Sequence, residues 1–263
     1  MKKLLTQGLV IFLIFFSLYF ILTRIDWVGL LRIEQITEKT EKQLGDFFLE
    51  VFKNNEEETV KKEYIDAVDS IVNGICSANS IRRENIKVTI LEKEDINAFA
   101  LPGGQLIVYT GLIKNSKHQD ELTGVIAHEL AHIELSHVMK KLGKELGISV
   151  LVSIAGGSAG AETVKEAIRV LSSSAFDRSM EKEADIKAVD YLIQAEVNSN
   201  PFAEFLNRLA EKEDQSLKYL TWISTHPDSK DRSSYIIEYS KGKSVGKKSL
   251  ISNETWKKLK EVK

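Results

Sequence analysis

Apolar residues recur along this chain in three patterns, and each predicts a different kind of element. Residues 4–22 are almost wholly apolar, interrupted by Thr6, Gln7, Gly8 and Ser17, with no charge before Arg24. About 19 such residues can cross a hydrocarbon core as a helix. Lys2 and Lys3 precede the run, a bias that holds the N-terminus in the cytoplasm and sends the rest of the chain across. A cleaved signal peptide is the competing reading. The bulky Tyr19-Phe20-Ile21-Leu22 end offers no small-x-small cleavage site, so residues 1–30 are expected to be an uncleaved membrane anchor. From residue 33 the spacing becomes that of amphipathic helices. Leu44, Phe47, Phe48, Val51 and Phe52 form one stripe, and Tyr64, Ile65, Val68, Ile71, Val72 and Ile75 the next.

Between residues 86 and 113 the period drops to two. Ile86, Val88 and Ile90 alternate with Lys87 and Thr89, and Pro102-Gly103-Gly104 then separates two extended runs, which predicts a hairpin. A proline there suits the edge of a sheet. An edge over Asn97, Ala98, Phe99 and Ala100 would offer free amides and carbonyls to an added peptide strand, although these residues alone favour a plain structural hairpin. Helical spacing returns over Asp120–Leu142. It is followed by a short apolar piece, Ile148 to Ala155, read as a lid or as a core helix. Glycines and a helix through Leu171 come next, then helices over 177–195 and from Pro201 onward. These elements predict an α+β fold, mostly helical, with a small sheet that carries the hairpin.

Composition narrows the chemistry. With 263 residues the chain can bury a full core, and a net charge of −2 gives no footprint for nucleic acid. Cys76 is the sole cysteine and sits in an apolar stripe, so there is no internal disulfide and no thiolate metal cluster. A metal site must therefore use histidine and carboxylate. His128-Glu129-Leu130-Ala131-His132 supplies one on the 120–142 helix. Two histidines four apart share a helix face and can grip one zinc ion, while Glu129, rotated by about 100°, can stand beside the metal as a base for the attacking water. His137, five beyond His132, is about 140° around a straight helix, so it cannot join the same metal and is read as a packing or second-site residue. Downstream, Glu181 and Asp185 are also four apart. The pair suits a third ligand and a carboxylate that holds a ligand histidine by its far nitrogen. Glu183 points elsewhere, toward solvent or a lysine. His226 lies in a loop, with Arg232 six residues on. Residues 241–263 carry eight lysines against Glu254 and Glu261, a basic tail read as a solvated helix around Trp256 and Leu259.

Taken together, Asn97-Ala98-Phe99-Ala100-Leu101-Pro102-Gly103-Gly104 with Thr110-Gly111-Leu112, then His128-Glu129-Leu130-Ala131-His132, then Arg178 with Glu181 to Asp185, then His226-Pro227 with Arg232, resemble metallopeptidase family 48, the HtpX/BepA/CaaX-prenyl-protease group of gluzincins. The resemblance covers roughly residues 40–240 and implies a zinc metallopeptidase domain over 33–240. It implies one zinc ion per chain, held by His128, His132 and Glu181, with Glu129 as base and Asp185 orienting a histidine. It turns Asn97–Ala100 into a substrate-pairing edge. It makes His226 and Arg232 oxyanion donors, or His226 a gate that fills the open zinc position. A single anchor and no 34-residue repeat after residue 240 match the periplasmic branch without its TPR repeats. The implied substrate is an unfolded or misassembled envelope polypeptide, met outside the cytoplasm. A secreted enzyme follows if residues 1–30 are cleaved, and a non-enzymatic, zinc-stabilised chaperone is the rival class.

Overall fold

The computed structural model describes residues 38–173, 175–213, 221–243, 246 and 248–262, with residues 7, 9–17 and 19 near the N-terminus. Both ends of the predicted membrane span lie outside the described residues. Within it, residues 9–17 are helical and exposed, and among the described residues no helix is long and apolar enough to cross a membrane.

Helix α1 (Glu38–Asn55) buries Leu44, Phe48 and Phe52, and α2 (Lys62–Ala78) buries Tyr64, Val68, Ile71, Val72, Ile75 and Cys76. The predicted stripes supply these buried residues, except that Ile65 is exposed and Phe47 and Val51 are only partly buried. Strands β1 (Lys87–Leu91), β2 (Ala98–Leu101) and β3 (Gln105–Tyr109) form a sheet in the order β1-β3-β2. The central β3 runs parallel to β1, with Lys87 opposite Gln105, and antiparallel to β2, with Ala98 opposite Val108. The β2–β3 turn needs its glycines: Gly103 and Gly104 have φ of 69° and 73°, and a Cβ on Gly104 would stand 1.9 Å from the Asn85 carbonyl oxygen. All five β3 residues are buried, unlike a half-exposed alternating strand. The reason is that helices cover both faces. Leu106 and Val108 join a core with α2, whereas Ile107 and Tyr109 join a second core with Phe48 and Phe52 of α1.

After α3 (Thr110–Asn115) comes the motif helix α4 (Gln119–Glu134). The continuous helix expected over 120–142 is broken here. Ser136 adopts a left-handed φ of 53°, and α5 (His137–Leu146) starts in a new direction. Helix α6 (Ile148–Ala155) places Leu151 and Ile154 in the second core beside Phe48, which makes it a core helix rather than a lid. There follow α7 (Ala161–Ser173), α8 (Arg178–Gln194), α9 (Asn200–Glu213), the short α10 (Thr221–Thr225), α11 (Ser229–Ser240) and α12 (Asn253–Glu261). Ser252 caps α12 by accepting the Thr255 N–H at 3.0 Å. The basic C-terminal segment is seated on the body: Ile251 and Leu259 are in the first core, and Lys260 Nζ donates to the Lys114 carbonyl at 2.6 Å.

Motif helix α4 is buried nearly throughout and passes close to α9. A Cβ on Gly124 would lie 2.3 Å from Phe202 Cβ, so Gly124→Ala must push the helices apart. Overpacking of this kind costs about 1–3 kcal/mol. The expected result is a lower melting temperature for Gly124→Ala and little change for Gly160→Ala, whose Cβ would meet nothing within 4 Å.

Candidate active site

Helix α4 begins where the His118 side chain, itself half exposed, accepts the Asp120 N–H at 3.1 Å. Two turns further on, His128 and His132 project from one face, with their Nε2 atoms 2.9 Å apart. Helix α8 brings Glu181 across from them. Its Oε1 is 3.4 Å from His132 Nε2, and its Oε2 is 3.6 Å from His128 Nε2. His226, just past α10, closes the group. Its Nδ1 is 2.9 Å from Glu181 Oε1 and 3.3 Å from His128 Nε2. These four side chains are buried, and each offers a ligand atom within 4.8 Å of the others.

A second layer of charge stands behind the cluster. Asp185 Oδ1 is 2.9 Å from His128 Nδ1, one helical turn on from Glu181. Arg232, reaching in from α11, donates through Nε and Nη2 to the two Asp185 oxygens at 2.8 Å each. Its Nη1 reaches Glu181 Oε2 at 2.6 Å and donates to the His226 carbonyl at 3.2 Å. Tyr235, three residues further along α11, donates its hydroxyl to Asp185. Burial alone would raise the Asp185 pKa, but Arg232 and His128 outweigh it and hold the carboxyl down at about 2. Burial opposes ionisation of Glu181 too, yet Arg232 and His226 keep it well below the usual carboxylate range. Burial, and then the neighbouring His128, push His132 well below the ordinary histidine value, which keeps it neutral. Arg232 thus faces two carboxylates and a backbone carbonyl, and its Nη2 also lies 3.5 Å from His128 Nε2.

Glu129 sits beside the cluster, fully buried, and is held on both oxygens. Oε2 accepts the Ala100 N–H at 3.1 Å, and Oε1 accepts the Trp222 Nε1–H at 3.4 Å. The Ala100 contact follows from strand register. Tyr109 N–H donates to the Asn97 carbonyl, so Asn97, Phe99 and Leu101 face the β3 ladder, and the backbone groups of Ala98 and Ala100 face outward. The predicted edge is therefore the sheet's outer strand, and its outward amide meets the motif glutamate. The same edge is partly taken by the chain itself, because Trp222 N–H donates to the Ile96 carbonyl at 3.3 Å. Aromatic rings wedge the imidazoles: Phe176 stacks on His132 with centroids 4.2 Å apart, and Trp222 on His226 at 4.6 Å.

His137 stays outside the four-residue cluster, as expected, while the break at Ser136 sets its Nδ1 3.1 Å from His132 Nδ1. Glu183 pairs with His137 Nε2 at 3.3 Å rather than with solvent alone or a lysine. Sequence reasoning also passed over Trp222, Phe176 and Tyr235. The spacings of Trp222 before His226 and Tyr235 after Arg232, four and three residues, were the available signals.

Two buried imidazoles and a carboxylate converging from two helices are the donor chemistry of a zinc site. With a buried glutamate, Glu129, on the motif helix and an outer strand alongside, fold and site are those of a gluzincin-type metallopeptidase. The chain belongs to peptidase family M48, whose family description matches residues 65–239. It is 32% identical over 170 residues to the mitochondrial metalloendopeptidase OMA1 of Schizosaccharomyces pombe, covering 64% of this chain and 50% of the relative. It is 29% identical over 180 residues to metalloprotease LoiP of Escherichia coli, covering 66% and 69%. The beta-barrel assembly-enhancing protease of the same bacterium is 22% identical over 203 residues, covering 71% and 41%. The chain spans about half the length of the first two curated relatives it matches.

Proposed function

We propose that this protein is a zinc metalloendopeptidase with one zinc ion held by His128, His132 and Glu181. The observation that carries the proposal is the convergence of these three buried side chains next to a carboxylate, Glu129, that is aimed by an edge-strand amide. Zinc in such a site supplies a Lewis acid and makes a water-derived nucleophile available at neutral pH. Glu129 takes the proton of the attacking water and delivers it to the leaving amine. Asp185 keeps the His128 proton on Nδ1, which leaves Nε2 free for the metal. Arg232 is read as the clamp that holds Asp185 and Glu181 in place rather than as an oxyanion donor. A substrate strand would add to the outward groups of Ala98 and Ala100. The rival, a non-enzymatic zinc-stabilised assembly factor, has no use for a positioned Glu129. Metal analysis and casein cleavage separate the two. The proposed enzyme binds one zinc and cleaves casein, loses cleavage to a chelator and regains it with added zinc; a zinc-loaded chain that never cleaves is the rival.

The substrate class is an unfolded or misassembled envelope polypeptide, a reading supported by one relative's name, the beta-barrel assembly-enhancing protease. The apolar run at residues 4–22 supports membrane anchorage with the domain outside the cytoplasm, in the periplasm for a two-membrane cell. Protease treatment of spheroplasts tests this: the domain is digested if it faces out and protected if it faces in.

A second reading concerns control. A peptidase site must keep one metal position open, yet His226 Nδ1 is aimed at the cluster while Trp222, four residues earlier, occupies the edge at Ile96. This arrangement is read as a resting state with His226 as gate. His226→Ala is expected to raise casein cleavage. Complete loss assigns His226 a direct role in the reaction, and no change removes it from both.

A further inference from the structure

The two histidines of the motif are backed differently on their far nitrogens. His128 has the Asp185 carboxylate 2.9 Å from its Nδ1. His132 instead meets another imidazole nitrogen, His137 Nδ1, 3.1 Å from its own Nδ1. His137 is fully buried, and its Nε2 in turn lies 3.3 Å from Oε2 of Glu183, whose side chain is 57% exposed. A chain of contacts therefore runs from the cluster to the protein surface, through two residues with no part in the proposed chemistry.

We infer that His137 and Glu183 are positioning residues that fix the tautomer and ring plane of His132 for zinc. The inference rests on the zinc reading of the site and deepens it. Proton counting carries it. An imidazole that gives its Nε2 lone pair to a metal carries its proton on Nδ1. His132 then donates, so His137 Nδ1 must accept. The single proton of neutral His137 is left on Nε2, where the Glu183 carboxylate accepts it. Other assignments set two N–H groups or two lone pairs against each other in a buried space, where an unmade hydrogen bond is costly. The local fold makes the relay possible. A straight helix would carry His137 about 140° away from His132. The left-handed Ser136 between α4 and α5 turns it back. His137 is not a fourth ligand, because it meets the nitrogen of His132 that points away from the cluster.

The test is zinc affinity of the full chain, measured by competition with a chromogenic chelator. His137→Leu is expected to bind zinc about 10–100-fold more weakly, the usual effect of losing a partner behind a metal ligand. His137→Asn, whose side-chain oxygen can accept from His132 Nδ1, should stay near the parent, and the visible spectrum of the cobalt-substituted chain should shift in the leucine variant alone. Glu183→Ala, a surface change that leaves packing intact, should weaken binding in the same direction by a smaller factor. Parental affinity in His137→Leu, or equal weakening in the leucine and asparagine variants, overturns the relay. If His137→Leu does not fold, parental affinity in Glu183→Ala overturns it. A parent chain that binds no zinc overturns the reading of the site itself, which is a different result from a zinc-binding parent with unaffected variants.

Discussion

Glu129→Gln is expected to retain zinc at the parental level and to cleave casein about 10²–10⁴-fold more slowly, the range for loss of a positioned general base. The substitution keeps the side chain's shape and one oxygen for the Ala100 N–H, so the buried pocket is not emptied. What is lost is the ability to take a proton. The Trp222 Nε1–H is left facing either the same oxygen or an amide group, a small structural price beside the chemical one. Zinc content and cleavage rate measured on the same preparation check the prediction. Full cleavage with normal zinc would remove Glu129 from the mechanism.

Arg232→Leu should be the most destabilising single change at the site. Arg232 is 2% exposed, and its guanidinium lies between two buried carboxylates, Asp185 and Glu181. Removing it leaves both without that counter-charge, and breaking a buried pair from one side costs about 3–5 kcal/mol. Bound zinc would offset part of this at Glu181, so the loss should be larger in chelator. Arg232→Lys should recover only a fraction, because an ammonium cannot form the two-point contact with Asp185. Urea denaturation of the three chains, with and without chelator, gives the comparison. A loss for Arg232→Leu within about 0.5 kcal/mol of the parent, the range of ordinary surface changes, would contradict the clamp.

Local spacing carried much of this account. His128 and His132, and then Glu181 and Asp185, are legible because residues four apart must share a helix face. The hairpin was legible from Pro102-Gly103-Gly104 between extended runs. Contacts made by tertiary packing were not. Straight-helix geometry excludes His137 as a ligand, and that holds, but the break at Ser136 that places it behind His132 has no glycine or proline to announce it. Glu183 looked like a solvated surface charge because its partner comes from another helix. The direction of Arg232 depends on how α11 crosses α8, and the stacking of Phe176 on His132 has no counterpart in sequence distance. The burial of β3 on both faces likewise depends on helices far away in the chain.

The account stands most directly on where the metal binds. Crystals of the zinc-loaded chain, measured on both sides of the zinc absorption edge, should show one anomalous peak per chain, in contact with His128, His132 and Glu181 and not with Asp185. A peak ligated by Asp185 in place of Glu181, or no peak among these residues in a chain that carries zinc, would contradict it.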